Sequence, residues 1–368
     1  MHAAEHPGAA HGEARRALEI CNACRYCEGY CAVFPAMELR RSFSDGELEH
    51  LANLCHNCRS CFYACQYAPP HEFGINLPRT FAELRDETYA AYAWPRPLAR
   101  LFARNGLVVS AAAALGIAGV LLLTMLLHPA EVLYGVHREP GAFYALIPAA
   151  VMIAVAGATF GFSLLAMAVA VLRFWRATGS GGLPRLRPLA RALGDVLTLR
   201  NLGGGGHGCN DLDEDFSQSR RRLHHCLFYG FALCFASTTV AAFYEHGLGL
   251  LAPYPFWSAP VLLGTLGGIG MVVGSAGLFR LKLVADAQPA APRLLGADVA
   301  LLFVLGLTAA TGLLLLALRA SAAMGVLLAV HLGFVLAFFL VMPYSKFVHG
   351  AYRAAALLRH AMEREQEG

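Results

Sequence analysis

Cys21-Asn22-Ala23-Cys24-Arg25-Tyr26-Cys27-Glu28-Gly29-Tyr30-Cys31 and Cys55-His56-Asn57-Cys58-Arg59-Ser60-Cys61-Phe62-Tyr63-Ala64-Cys65 are two copies of one pattern, C-x2-C-x2-C-x3-C. These eight cysteines are most of the 11 in the chain. Three thiolates spaced by two residues wrap one corner of a cubane, and in two-cluster proteins the fourth Cys ligates the other cluster. The spacing therefore predicts two [4Fe–4S] clusters, one on Cys21, Cys24, Cys27 and Cys65, the other on Cys55, Cys58, Cys61 and Cys31. Zinc favours four thiolates supplied as two well-separated pairs, and a secreted disulfide scaffold does not cluster its cysteines this way. The Pro that follows the fourth Cys of bacterial ferredoxins is replaced here by Ala32 and Gln66.

Between the motifs, Ser44-Asp45-Gly46-Glu47 has the form of a capping box. It opens a run with Leu48, Leu51 and Leu54 at helical spacing that leads into Cys55. This points to a helical ferredoxin-type domain, similar to that of succinate dehydrogenase and heterodisulfide reductase iron–sulfur subunits. We expect a disordered tail over residues 1–16, this domain over 17–100 and a membrane domain over 101–368.

Beyond residue 100 the composition changes. The whole chain is 57% hydrophobic and 15% charged, against about 25% charged in soluble domains. Six apolar runs reach the roughly 20 residues that cross a bilayer: Leu107–Leu127, Leu146–Leu172, Leu223–Tyr244, Pro260–Phe279, Val299–Leu318 and Ala322–Met342. The fold class expected is all-α, the ferredoxin-type domain followed by a six-helix transmembrane bundle. Arg and Lys concentrate in the loop 176–222, at Arg280, Lys282 and Arg293, and at Lys346, Arg353, Arg359 and Arg364. Cytoplasmic loops carry such an excess, which puts both termini in the cytoplasm of a multi-pass inner-membrane protein. No apolar signal segment precedes the first motif. The glycines 203–206 lack the G-K-[ST] of a phosphate loop, so the loop is read as a docking or covering segment, and Cys209 in it as a lone thiol.

Five histidines sit in or at the edge of the third and sixth apolar runs: His224, His225, His246, His331 and His349. A polar ring in hydrocarbon is expensive and signals function. On one continuous helix, His331 and His349 fall on the same side, about 27 Å apart. His224 and His246 face within about 40° of each other. We expect His224 with His349 at the cytoplasmic edge and His246 with His331 in the far half to hold haem b, one or two per chain, with His225 pointing elsewhere.

Nearly the full length resembles the tricarballylate-utilisation protein B family, also called citrate-utilisation protein B. The resemblance is carried by the double Cys motif, Gly208-Cys209-Asn210, Arg221-Arg222-Leu223-His224-His225, Phe228–Phe231, Leu233–Thr238, Val261–Thr265 and Pro343–Gly350. The last of these is also similar to the haem-binding gamma subunit of respiratory nitrate reductases, which implies haem ligation by His331 and His349. The family resemblance implies that a flavoprotein tricarballylate dehydrogenase is the partner, and that its reduced flavin is reoxidised through the clusters and haem to the membrane quinone pool. No Rossmann fingerprint is present, so the flavin belongs to another protein. Catalytic residues and nucleic-acid binding are not expected. The rival readings are a carboxylate transporter, which would want cations within its helices and inverted repeats, and a cluster-based redox sensor.

Overall fold

The computed structural model describes residues 8–102, 105–127, 129–179, 182 and 184–367. Among these residues the chain is all-α. In order, the helices are α1 (Ala9–Cys24), α2 (Val33–Glu38), α3 (Asp45–Leu54), α4 (Ser60–Tyr63), α5 (Leu77–Tyr92), α6 (Arg96–Phe102), α7 (Asn105–Leu127), α8 (Ala130–Leu133), α9 (Ala149–Ala177), α10 (Leu186–Leu197), α11 (Ser219–Leu248), α12 (Ala259–Val284), α13 (Leu295–Leu318), α14 (Met324–Val341) and α15 (His349–Glu367).

Local rules explain the first helices. In α1, Ala10, Ala14, Ala17 and Leu18 form one buried stripe at helical spacing, so the tail expected over 1–16 is helical from Ala9 onward. Residues 1–7 lie outside the described residues. The capping box at α3 is formed: the Ser44 N–H donates to Glu47 Oε2 at 2.9 Å. Asn76 caps α5, its Oδ1 accepting from the Arg79 N–H at 3.2 Å, with Pro78 in the first turn.

The core of this region is shared with the end of the chain. Leu18, Phe34, Met37, Leu48, Leu51, Phe81 and Leu84 are buried together with Ala192 of α10 and Ala356, Leu357 and Ala361 of α15. At the same junction, Arg40 Nη2 donates to Glu363 Oε1 at 2.5 Å, and Arg359 Nε donates to it at 2.9 Å.

Among the described residues five helices, α9 and α11–α14, are long and apolar enough to cross a membrane, and α7 carries the apolar stretch Ala111–Thr124. Their outer faces leave Leu165, Leu172, Phe243, Leu266 and Phe303 exposed. So much exposed apolar surface marks a membrane-facing bundle, and the chain is a multi-pass membrane protein. Lipid gives no hydrophobic drive to pair helices, so small residues and close packing do that work. On α12 the glycines serve this purpose against α11: a Cβ on Gly267 would lie 2.8 Å from the backbone N of Cys234, and one on Gly274 only 2.6 Å from the backbone N of Leu227.

The structure corrects one expectation about the last run. The helix carrying His331 ends at Val341, and a turn and a short 3-10 segment, Lys346–Val348, precede α15. His331 and His349 are thus on two helices and do not share one helical face.

Burial raises the Glu363 carboxyl, but His50 at 3.7 Å and the charges of Arg40 and Arg359 outweigh it and hold it at about 2. An unfolded Glu titrates near 4.3. The depressed group therefore stabilises the junction fully above about pH 5, and this is lost as pH falls toward 2. We expect Glu363→Gln to melt below wild type at neutral pH, with the difference closing as pH approaches 2. Melting temperature against pH in detergent measures it.

Candidate functional site

The motif cysteines line two small cavities. Cys21, Cys24, Cys27 and Cys65 surround one of about 20 Å³, and Cys31, Cys55, Cys58 and Cys61 surround one of about 10 Å³. Each motif thus sends its last thiol to the other's cavity, and Phe34 of α2 lines both. Arg25 and Arg59 sit in left-handed backbone that turns the chain after Cys24 and Cys58.

The 176–222 loop covers the second cavity. The Asn210 N–H donates to the Cys58 carbonyl at 2.9 Å, and Arg220 Nη1 donates to the Asn57 carbonyl at 2.6 Å. Cys209 pairs through its backbone with Ser217. Its buried thiol, pushed up to about 12 by burial, donates to the Leu202 carbonyl at 3.1 Å and belongs to neither quartet. Gly205 has φ +73, and a Cβ there would stand 2.6 Å from the Tyr30 carbonyl oxygen. Only glycine lets the loop come down at that point.

The cofactor expectation is corrected here. Among the described residues no group of three or more His, Cys, Asp or Glu side chains is set to hold a metal ion. Burial, and then the neighbouring sulfurs, pushes Cys21 and Cys27 up to about 12. Two [4Fe–4S] clusters and haem b are withdrawn.

The histidines divide. His224 and His349 face each other, ring centroids 6.2 Å apart and planes at 83°. His349 is held neutral by burial and by Arg353 and His224 beside it. His225 turns to α10, with Nε2 3.1 Å from the Thr198 carbonyl. His246 is exposed near the end of α11. His331 is not paired with it: its Nδ1 lies 3.1 Å from the Thr308 carbonyl and 3.2 Å from Thr311 Oγ1, both on α13. An Nδ1–H given to that carbonyl leaves Nε2 as the free ring nitrogen. The ring lines an apolar cavity of about 440 Å³ among α11–α14, with Phe231, Phe235, Thr308 and Arg319.

A third cavity, of about 150 Å³, lies between the thiols and the membrane helices and holds the His224–His349 pair. From the sequence its cations read as topology markers at most, not as one cluster, although a signal exists. Arg220 precedes His224 by four residues and Arg353 follows His349 by four, a spacing that puts each pair on one helical face.

Two family models match this architecture: citrate utilization protein B over residues 100–368, and the citrate utilization protein B Fer4-like domain over residues 14–91. The chain is also 47% identical over 360 residues to the citrate utilization protein B of Escherichia coli, covering 96% of this chain and 93% of that protein. It belongs to the citrate utilization protein B family. No solved structure matches it. For this family member, the boundary between the two matched regions falls between α5 and α7, where the chain passes from the thiol-bearing helices to the membrane.

The Gly205 contact gives a direct check on the cover. Left-handed backbone costs a non-glycine residue about 1–2 kcal/mol, and the close approach adds to that. Gly205→Ala should lift the loop and speed maleimide labelling of Cys58 and Cys61 by tenfold or more, while Cys21 and Cys24 label at the wild-type rate.

Proposed function

We propose that this chain is the membrane electron-transfer component of a tricarboxylate-oxidising system, taking electrons from the reduced flavin of a partner tricarballylate dehydrogenase and delivering them to quinone. The observation that carries it is the family match over 96% of the chain. In this reading the N-terminal region over 17–100 is a helical electron-entry domain that bears the two thiol quartets, Cys21/Cys24/Cys27/Cys65 and Cys31/Cys55/Cys58/Cys61. Six helices, α7, α9 and α11–α14, cross the inner membrane and both termini face the cytoplasm. Support for that orientation comes from the Arg-rich segments, which gather at the thiol-bearing end: Arg59 Nη1 donates to the Asp211 carbonyl at 2.9 Å, and Arg353 Nη2 donates to the Cys55 carbonyl at 3.0 Å.

The apolar 440 Å³ cavity suits a quinone, since such sites are mostly apolar with a few polar groups that orient the ligand. In the tautomer that donates Nδ1–H to Thr308, His331 Nε2 is an acceptor and would receive the hydroxyl of the quinol there. The flavin hydroquinone gives up two electrons and two protons, and the quinone takes up two of each to become quinol.

Proteoliposomes holding the full chain, a reduced flavoprotein partner and quinone test this. We expect quinol formation that requires the chain, falling at least tenfold in Cys58→Ser and Cys65→Ser. His331→Ala should raise the quinone KM. Tricarboxylate flux into the vesicles without quinol formation would instead make the chain a transporter and overturn the proposal. A reporter fused after Gly368 should be active only in the cytoplasm.

A further inference from the structure

The 150 Å³ cavity at the membrane boundary carries more positive charge than its walls neutralise. Six cations line it: Arg59, Arg85, Arg220, Lys282, Lys346 and Arg353. The carboxylates that line it are Asp211 and Asp298. Asp298 is shared between Lys282 and Lys346, and Asp211 lies 3.5 Å from Arg220. Behind the wall, Asp286 acts on Arg59 and Asp86 on Lys346. Even with those two counted, cations outnumber carboxylates.

The three remaining guanidinium groups spend their hydrogen bonds on neutral acceptors. Arg59 binds the carbonyls of Asp211 and Asp286, Arg85 those of Ala52 and Cys55, and Arg353 that of Cys55. The Nε atoms of Arg59, Arg85 and Arg353 are buried without a hydrogen-bond partner. Arg59 is only 7% exposed and Arg85 only 2%. Arginine keeps its proton in proteins, and buried charge without a counter-charge is costly. The planar forks of Arg match oxyanions in particular.

We propose that this cavity is a binding site for a small polyanion bearing at least two oxyanion groups, of the carboxylate or phosphate type. Its size excludes most drug-sized ligands, whose pockets run from about 300 Å³, and fits a small metabolite or a single head group. A free polycarboxylate, free phosphate and the head group of an anionic lipid share this chemistry, since basic pockets between membrane helices on the cytoplasmic side also take lipid head groups. The site stands independently of the electron-transfer reading, because it rests on charge and unpartnered donors alone.

The full chain in detergent is melted with citrate and, separately, with inorganic phosphate. It is also melted in nanodiscs of phosphatidylcholine with and without cardiolipin. The expected result is a rise in melting temperature with citrate or phosphate, and an apparent affinity weakened at least tenfold in Arg353→Gln. Lys282 pairs with Asp298 at the cavity wall, so Lys282→Gln carries the test if Arg353→Gln fails to fold. Arg187→Gln, at an exposed position of α10, should behave as wild type. A rise confined to cardiolipin discs and sensitive to the same variants assigns the site to a lipid head group. No stabilisation by any of the three, or one equally strong in Arg353→Gln and Lys282→Gln, overturns the proposal.

Discussion

Two guanidinium groups converge on one peptide carbonyl. Arg85 of α5 and Arg353 of α15 both donate to the oxygen of Cys55, at 3.1 and 3.0 Å. That oxygen lies at the C-terminal end of α3, where unpaired carbonyls concentrate partial negative charge. Neither arginine can shed its proton to escape burial, so each needs these acceptors, and the second cysteine motif is fixed by the need. Because Arg353 comes from the last helix, the same contact ties the thiols to His349 and, through its ring, to His224 on α11. The covering loop closes over the motif from the other side.

Below that junction the protein changes solvent. At the boundary, water-seeking cations crowd a small cavity. Deeper, α11–α14 enclose a larger apolar one whose polar atoms satisfy each other, as His331 does with Thr308 and Thr311. The helices reach this arrangement through close approach. The glycines of α12 bring its backbone against α11, and Thr308, Thr311 and Ser275 return their hydroxyls to carbonyls of their own helices, which is how polar residues are carried inside a membrane.

Much of this architecture is legible along the chain because it depends on near neighbours. Apolar runs of membrane length, a capping box at Ser44–Glu47 and the regular Cys spacing are all local signals. The losses are contacts between elements. His331 reads as a lone ring in hydrocarbon, since the threonines that satisfy it lie twenty or more residues earlier on α13. The stretch from His331 to His349 reads as one continuous helix, whereas the chain leaves the helix near Pro343, restarts at Lys346 and aims His349 at α11. The cysteine spacing specifies which sulfurs can meet, but the size of the cavities they enclose and the protonation of the thiols follow from the packing of α1, α2 and α5, which spacing does not encode. The cationic cavity escapes for the same reason: its six cations come from six separate elements, and each alone looks like a solvated charge.

The N-terminal core shared with α15 bears on the order of assembly. Ala356, Leu357 and Ala361 complete the apolar interior formed by α1, α3 and α5, yet they are translated after every membrane-crossing helix. While the ribosome is still inserting the bundle, the thiol-bearing helices wait with part of their apolar surface uncovered. Their maturation is thus postponed until the membrane part exists, and a chain that stalls during insertion displays that uncovered surface to chaperones and proteases.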